Sequence, residues 1–207
     1  MPPQSSPLQV VAIPGSVRPG NFTGKALAIL ADELRQKPGI NLELIKTARI
    51  DFPLPGMSNG SPAVKQFQET VSAADGIILA TPEYHGSFSS VMKLVIENMG
   101  FPSGLSGKPV ALLGVAAGKI GAIKALEHLR SVCSHVGAIV LPGPISIAGV
   151  QQVFDEEGNC LNKGVEQEIR SLAGNLLDYL RKSQCPEVPL EEMVRHGNSM
   201  EWAPPTV

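Results

Sequence analysis

Three short stretches hold most of the residues whose types and spacing suit chemistry. The first is Gly15-Ser16-Val17-Arg18-Pro19-Gly20-Asn21-Phe22-Thr23, between an apolar run and a helical pattern. Free N–H groups at a helix start carry partial positive charge and suit a phosphate. Ser16, Asn21 and Thr23 add donors, and Arg18 adds a full charge with a forked grip; the alternative is an ordinary turn with a surface arginine. The second stretch is Thr81-Pro82-Glu83-Tyr84-His85-Gly86-Ser87, read as a loop whose backbone can meet the edge of a planar ligand. His85 suits acid–base work with Glu83 as its partner, or it simply faces solvent. The third is Ala116-Ala117-Gly118-Lys119-Ile120-Gly121, where glycines let a ring approach the backbone or merely open a helix.

Other chemistries fail on the same residues. Gly15 and Gly20 have the spacing of a nucleotide-triphosphate loop, but Asn21 stands where lysine is needed. No Gly-x-Gly occurs, so the dinucleotide-binding fingerprint is missing. Cys133, Cys160 and Cys185 are far apart and form no Cys-x-x-Cys, which offers neither a zinc site nor a redox dithiol. Cys133 reads as core, and His128 and His135, seven apart, as structural or surface groups rather than metal ligands.

These stretches need a scaffold. The chain has 207 residues, 43% of them apolar, enough for one domain with a sizeable core. Lys plus Arg number 17 and Asp plus Glu 19, so clustered cationic surface for nucleic acid is not expected. Pro142 and Pro144 break the longest uncharged stretch, which excludes it as a membrane span. The first basic residue is Arg18, and no charged leader precedes an apolar run. The expectation is a soluble, reduced, cytoplasmic protein.

Apolar runs at Leu8–Ile13, Asn41–Ile45, Gly76–Ala80, Pro109–Ala116 and Gly137–Leu141 predict five strands. Between them, Leu27-Leu30-Leu34, Val64-Phe67-Val71, Val91-Leu94-Val95-Met99 and Leu126-Leu129-Cys133 repeat at helical spacing. A last helix spans Lys163 to Lys182, and Gly143–Gln152 reads as extended. Strands alternating with helices predict an α/β fold, a doubly wound five-stranded parallel sheet of flavodoxin-like order 2-1-3-4-5 with helices on both faces. Residues 1–185 form this domain, and residues 186–207 a Pro-rich C-terminal arm. In such sheets ligands bind beyond the carboxyl ends of the strands, so the loops after strands one, three and four should meet there.

Taken together, the three stretches resemble the NADPH-dependent FMN reductase family, which includes chromate and quinone reductases. The matching pieces are Gly15-Ser16-Val17-Arg18 with Phe22-Thr23, Pro82-Glu83-Tyr84 with Gly86-Ser87 and Lys93, and Gly118 and Gly121 with His128-Leu129-Arg130. The resemblance implies a flavodoxin-like FMN protein that assembles as a homodimer or homotetramer. It implies that Ser16, Arg18, Asn21, Phe22 and Thr23 hold the FMN phosphate. Pro82, Glu83, Tyr84, His85 and Ser87 would line the isoalloxazine ring, and Gly118 its pyrimidine edge. Family members often have Asn at the positions of His85 and Thr23, and a glycine pair at Gly121-Ala122. The implied reaction passes hydride from NADPH or NADH to flavin N5. Electrons then go to a small-molecule acceptor such as a quinone, azo compound, metal oxyanion or free flavin. The alternative is a flavodoxin-like electron carrier or a flavin-binding regulatory protein without NAD(P)H turnover. Carriers are typically strongly acidic, and a formal charge of −2 is a weak field for steering.

Overall fold

The structure is a computed structural model that describes residues 6–57 and 60–183. The expected C-terminal arm lies outside the described residues. Strand β1 (Leu8–Pro14) is apolar on both faces because helices cover both. It feeds α1 (Phe22–Arg35), whose stripe Ala26, Leu27, Leu30, Ala31 and Leu34 is buried. There follow β2 (Ile40–Leu44), α2 (Pro62–Ala73), β3 (Gly76–Tyr84), β4 (Ser87–Phe88), α3 (Ser90–Glu97), β5 (Pro109–Val115), α4 (Ile123–His135), β6 (Ile139–Val140), β7 (Ile145–Ile147) and α5 (Lys163–Ser183).

The sheet runs β2-β1-β3-β5-β6, with β4 beside β3 and β7 beside β5. Apart from the antiparallel β4, every pairing is parallel. With β4 left out of the count and the last edge counted once, this is the expected 2-1-3-4-5 order. Two details differ from expectation. The third strand does not stop at Ala80 but continues to Tyr84 and turns back as a hairpin, so α3 starts at Ser90 rather than near Phe88. The fifth strand is split: Pro109 faces Ile139 and Leu113 faces Ile145, so the edge holds two extra residues between these points. Pro142 and Pro144 lie in that break, where they have no N–H to give to a ladder.

Alternation along the strands divides the core. Val10, Ala12, Ile78, Ala80, Ala111 and Leu113 pack with α1 and α5. Val11, Ile13, Ile77, Leu79, Val110 and Leu112 face α2, α3 and α4. Gly114 lets α4 come close: a Cβ there would sit 2.7 Å from that of Ala122. Just before β5, the Lys108 Nζ donates to the carbonyls of Ser72 (2.8 Å) and Ala74 (2.6 Å), closing the end of α2.

On the outer surface, Arg170 of α5 joins Asp32 (2.8 Å) and Glu33 (3.3 Å) of α1 and Glu166 (2.9 Å) of its own helix. Hydrogen bonds from Arg170 and Gln36 hold the Asp32 carboxyl below its ordinary value, and Lys37, then Arg170, do the same for Glu33. Groups with depressed folded values stabilise above the ordinary carboxylate range and lose that contribution as pH falls through the depressed values. An Arg170→Met variant should therefore unfold at lower denaturant concentration than the parent at pH 7. The gap should close as pH falls below about 4. A gap that stays constant down to pH 3 would show that packing, not charge, carries the effect of Arg170.

Candidate functional site

The carboxyl ends of β1, β3 and β5 open on a cleft of about 350 Å³. Ser16, Arg18, Asn21, Phe22, Thr23, Pro82, Glu83 and Tyr84 line it, together with Ala116, Ala117, Val150 and Gln151. Eight of the expected residues thus meet, while His85, Ser87 and Gly118 are not in the lining.

The wall after β1 is built on backbone ties. Gly15 N–H donates to the Ala80 carbonyl (2.6 Å), and Thr47 Oγ1 donates to the Pro14 carbonyl (3.0 Å). Asn21 is the N-cap of α1. Its Oδ1 accepts from Gly24 N–H (2.7 Å), and its Nδ2 donates to the Arg18 carbonyl (2.6 Å). The Asn21 amide therefore shapes the loop. Gly24 is served by this cap and Lys25 N–H by the Asn21 carbonyl, which leaves the N–H groups of Phe22 and Thr23 without an acceptor among the described residues. Thr23 is 1% exposed, and its Oγ1 has no hydrogen-bond partner among them either. The Arg18 side chain is exposed and makes no ion pair among the described residues. Two N–H groups, a hydroxyl and a guanidinium in one loop form a donor set suited to a dianionic phosphate.

The second stretch is a hairpin, not a loop. Glu83 pairs with Phe88 and Tyr84 with Ser87. His85 and Gly86 make the two-residue turn with φ of 52° and 74°. Both positions need positive φ, as in the turns that best fit strand twist. Asn-Gly is the familiar signal for such turns, and His-Gly is a weaker form of it. The expected Glu83–His85 pair does not form. Glu83 Oε2 instead accepts from Ala125 N–H (3.0 Å), in the first turn of α4. The α4 start has no side-chain cap of its own, and Ser146 Oγ accepts from Ala122 N–H (2.9 Å). Ser87 is likewise drawn to α4, with its Oγ 3.1 Å from His128 Nδ1. Pro82 is buried at the cleft, and Tyr84 offers it a half-exposed ring.

Gly118 lies outside the lining; its carbonyl closes the third loop, accepting from Gly121 N–H (3.2 Å) and Gly149 N–H (3.1 Å). Val150 and Gln151 were missed. They belong to a short turn after β7, tied back by Val150 N–H to the Ala116 carbonyl (3.1 Å). The strand-end rule applied to the expected fifth strand, which stops at Leu141, does not reach them, because the edge resumes at β7. Lys25 holds the chain beyond this turn: its Nζ donates to the Asp155 carbonyl (2.6 Å) and sits 5.2 Å from the center of the Phe22 ring.

Other reactive candidates recede. Burial pushes the Cys133 thiol up to about 12, so it is protonated and inert at neutral pH. Among the described residues no three His, Cys, Asp or Glu side chains cluster to hold a metal. A second hollow of about 370 Å³ lies at Pro53–Met57 and Asn98. Its buried amide, Asn98 Nδ2, is already paired with the carbonyls of Pro53 and Leu94.

The family model for NADPH-dependent FMN reductase matches residues 8–152. The chain is 33% identical over 189 residues to an NAD(P)H-dependent FMN reductase of Pseudomonas aeruginosa, covering 86% of this chain and 98% of that one. It is 32% identical over 185 residues to the quinone reductase of Escherichia coli, covering 84% and 95%. Among solved structures, the flavoenzyme NAD(P)H:(acceptor) oxidoreductase FerB of Paracoccus denitrificans superposes with a TM-score of 0.71 at 20% identity, covering 84% of this chain and 98% of that one. An archaeal flavodoxin superposes with a TM-score of 0.61 at 13% identity, covering 84% and 99%; these two likenesses bear on the fold. The match over most of the sheet, with relatives aligned nearly end to end, places the chain in the NADPH-dependent FMN reductase family.

Proposed function

We propose that the protein is an FMN-dependent oxidoreductase that takes reducing equivalents from NADPH or NADH and passes them to a small-molecule acceptor. The observation that carries this reading is the buried Thr23 hydroxyl, without a partner among the described residues, at the start of α1 beside Arg18 in the cleft. A buried polar group without a partner costs about 1–3 kcal/mol, and a phosphate oxygen would remove that cost. The N–H groups of Phe22 and Thr23, Thr23 Oγ1, Ser16 and Arg18 would hold the phosphate of FMN, with Asn21 shaping the loop around it. Pro82, Glu83 and Tyr84 would border the flavin ring from β3, with Ala116 and Ala117 across the cleft. When bound, FMN supplies the hydride-accepting and electron-returning chemistry, which no side chain here provides.

The chain's own residues then bind and orient. The first turn of α4 holds the Glu83 carboxylate, so this side chain serves as a brace for the hairpin. His85 lies in the turn beyond Tyr84 and is free to influence which acceptor docks. The names of the relatives support a quinone or an azo compound as acceptor: they include a 2-hydroxy-1,4-benzoquinone reductase of a Burkholderia species and an NADPH azoreductase of a Bacillus species. A metal oxyanion and free flavin are the other candidates from the resemblance. The same reading takes the protein as a cytoplasmic homodimer or homotetramer. Among the described residues no helix is long and apolar enough to cross a membrane.

Steady-state assays test the reading. NADPH consumption with a quinone should require FMN and stop when the flavin is stripped; NADPH left unconsumed by the FMN-loaded protein with every acceptor class would favor a carrier or regulatory protein. Titration of the two loops separates their roles. Arg18→Ala should weaken FMN binding by about 1.5–3 kcal/mol, the worth of a charged hydrogen bond. His85→Asn should leave FMN affinity unchanged, because Asn also tolerates positive φ and the side chain at this position lies outside the cleft lining. Unchanged affinity in Arg18→Ala would remove Arg18 from the phosphate site, and loss of flavin in His85→Asn would place His85 within it.

A further inference from the structure

Ser89 stands 74 residues beyond Gly15, at the N-cap of α3, and is 2% exposed. Its Oγ accepts from Met92 N–H (3.0 Å), which is all that capping requires. The same hydroxyl also donates to the Gly15 carbonyl at 2.5 Å. Its backbone is fixed too: Ser89 N–H donates to Thr81 Oγ1 (3.1 Å), and fully buried Thr81 donates to the Pro82 carbonyl (3.0 Å). Gly15 therefore has its N–H on Ala80 and its carbonyl on Ser89. A Cβ at Gly15 would lie 3.0 Å from the Ala80 carbonyl oxygen and from Cβ and Cε of Met92, so the loop starts pressed against β3 and α3.

We infer that Ser89 is a positioning residue for the phosphate loop, an inference that rests on the reading of that loop given above. The peptide between Gly15 and Ser16 is planar, with its C=O and N–H pointing in opposite directions. Holding the Gly15 carbonyl on Ser89 turns the Ser16 N–H the other way. That N–H has no acceptor among the described residues, and Ser16 borders the cleft. Ser89 thus links the start of α3 to the first donor of the phosphate site through its hydroxyl, and holds the β3 end through its backbone N–H, which a substitution of the side chain leaves in place. Without the hydroxyl the Gly15–Ser16 peptide is free to rotate, and the phosphate loses one aimed donor while the ring keeps its walls.

The test compares two flavins that differ only in the phosphate. Dissociation constants of FMN and riboflavin are measured for the parent, Ser89→Ala and Ser89→Gly. Glycine is nearly as good a cap as serine and guards against a variant that fails to fold. A fall in the folded fraction weakens both flavins by the same factor, so their affinity ratio reports the phosphate site alone. The expected result is a parent that prefers FMN strongly, and variants in which that preference falls by about tenfold with riboflavin affinity little changed. A preserved ratio in both variants overturns the role of Ser89. A parent that binds both flavins equally overturns the phosphate reading itself.

Discussion

The start of α1 cannot satisfy its own polar groups, and the rest of the site depends on that. Asn21 and the first helical bond serve Gly24 and Lys25, while the N–H groups of Phe22 and Thr23 and the buried Thr23 hydroxyl are left over. Such groups are normally paired when buried. Among the described residues no segment folds in to pair them. Gly15 is pinned from two sides, Asn21 bridges loop and helix, and Lys25 ties α1 to the chain beyond Gln151. Each of these ties keeps the unpaired donors in a fixed arrangement at the cleft.

The start of α4, at the same edge of the sheet, behaves in the opposite way. The α4 start lacks a cap of its own and is closed by two groups from elsewhere, Glu83 of β3 and Ser146 of β7. Closing α4 fixes the hairpin that carries Tyr84 and takes the carboxylate out of acid–base work. The α1 start thus keeps unpaired donors among the described residues, while the α4 start braces the hairpin. This division explains why a cleft with few reactive side chains suits a cofactor that brings its own chemistry.

Much of this was readable from the chain alone. The apolar runs at Val10–Ile13 and Gly76–Ala80, and the stripe Leu27-Leu30-Leu34, declare buried strands and a one-sided helix through local periodicity. The loop after β1 was legible as a candidate anion site because its small residues, hydroxyls and arginine are contiguous. What escaped depended on distant partners. Glu83 next to His85 suggests a pair by proximity, yet the carboxylate finds an unpaired N–H 42 residues on. The hairpin escaped because His-Gly is an uncommon form of its turn. Val150 and Gln151 reach the cleft only because the last edge strand breaks and resumes beside β5, which no local pattern records.

The most direct test of the account is an anaerobic titration of the FMN-loaded protein with NADPH, followed by the flavin absorbance at about 450 nm. FMN should stay bound through gel filtration, and the band should bleach rapidly, complete at one equivalent of NADPH. Flavin that stays oxidized under excess NADPH and NADH would contradict the assignment as a reductase, and a protein that retains no FMN would contradict the reading of the cleft.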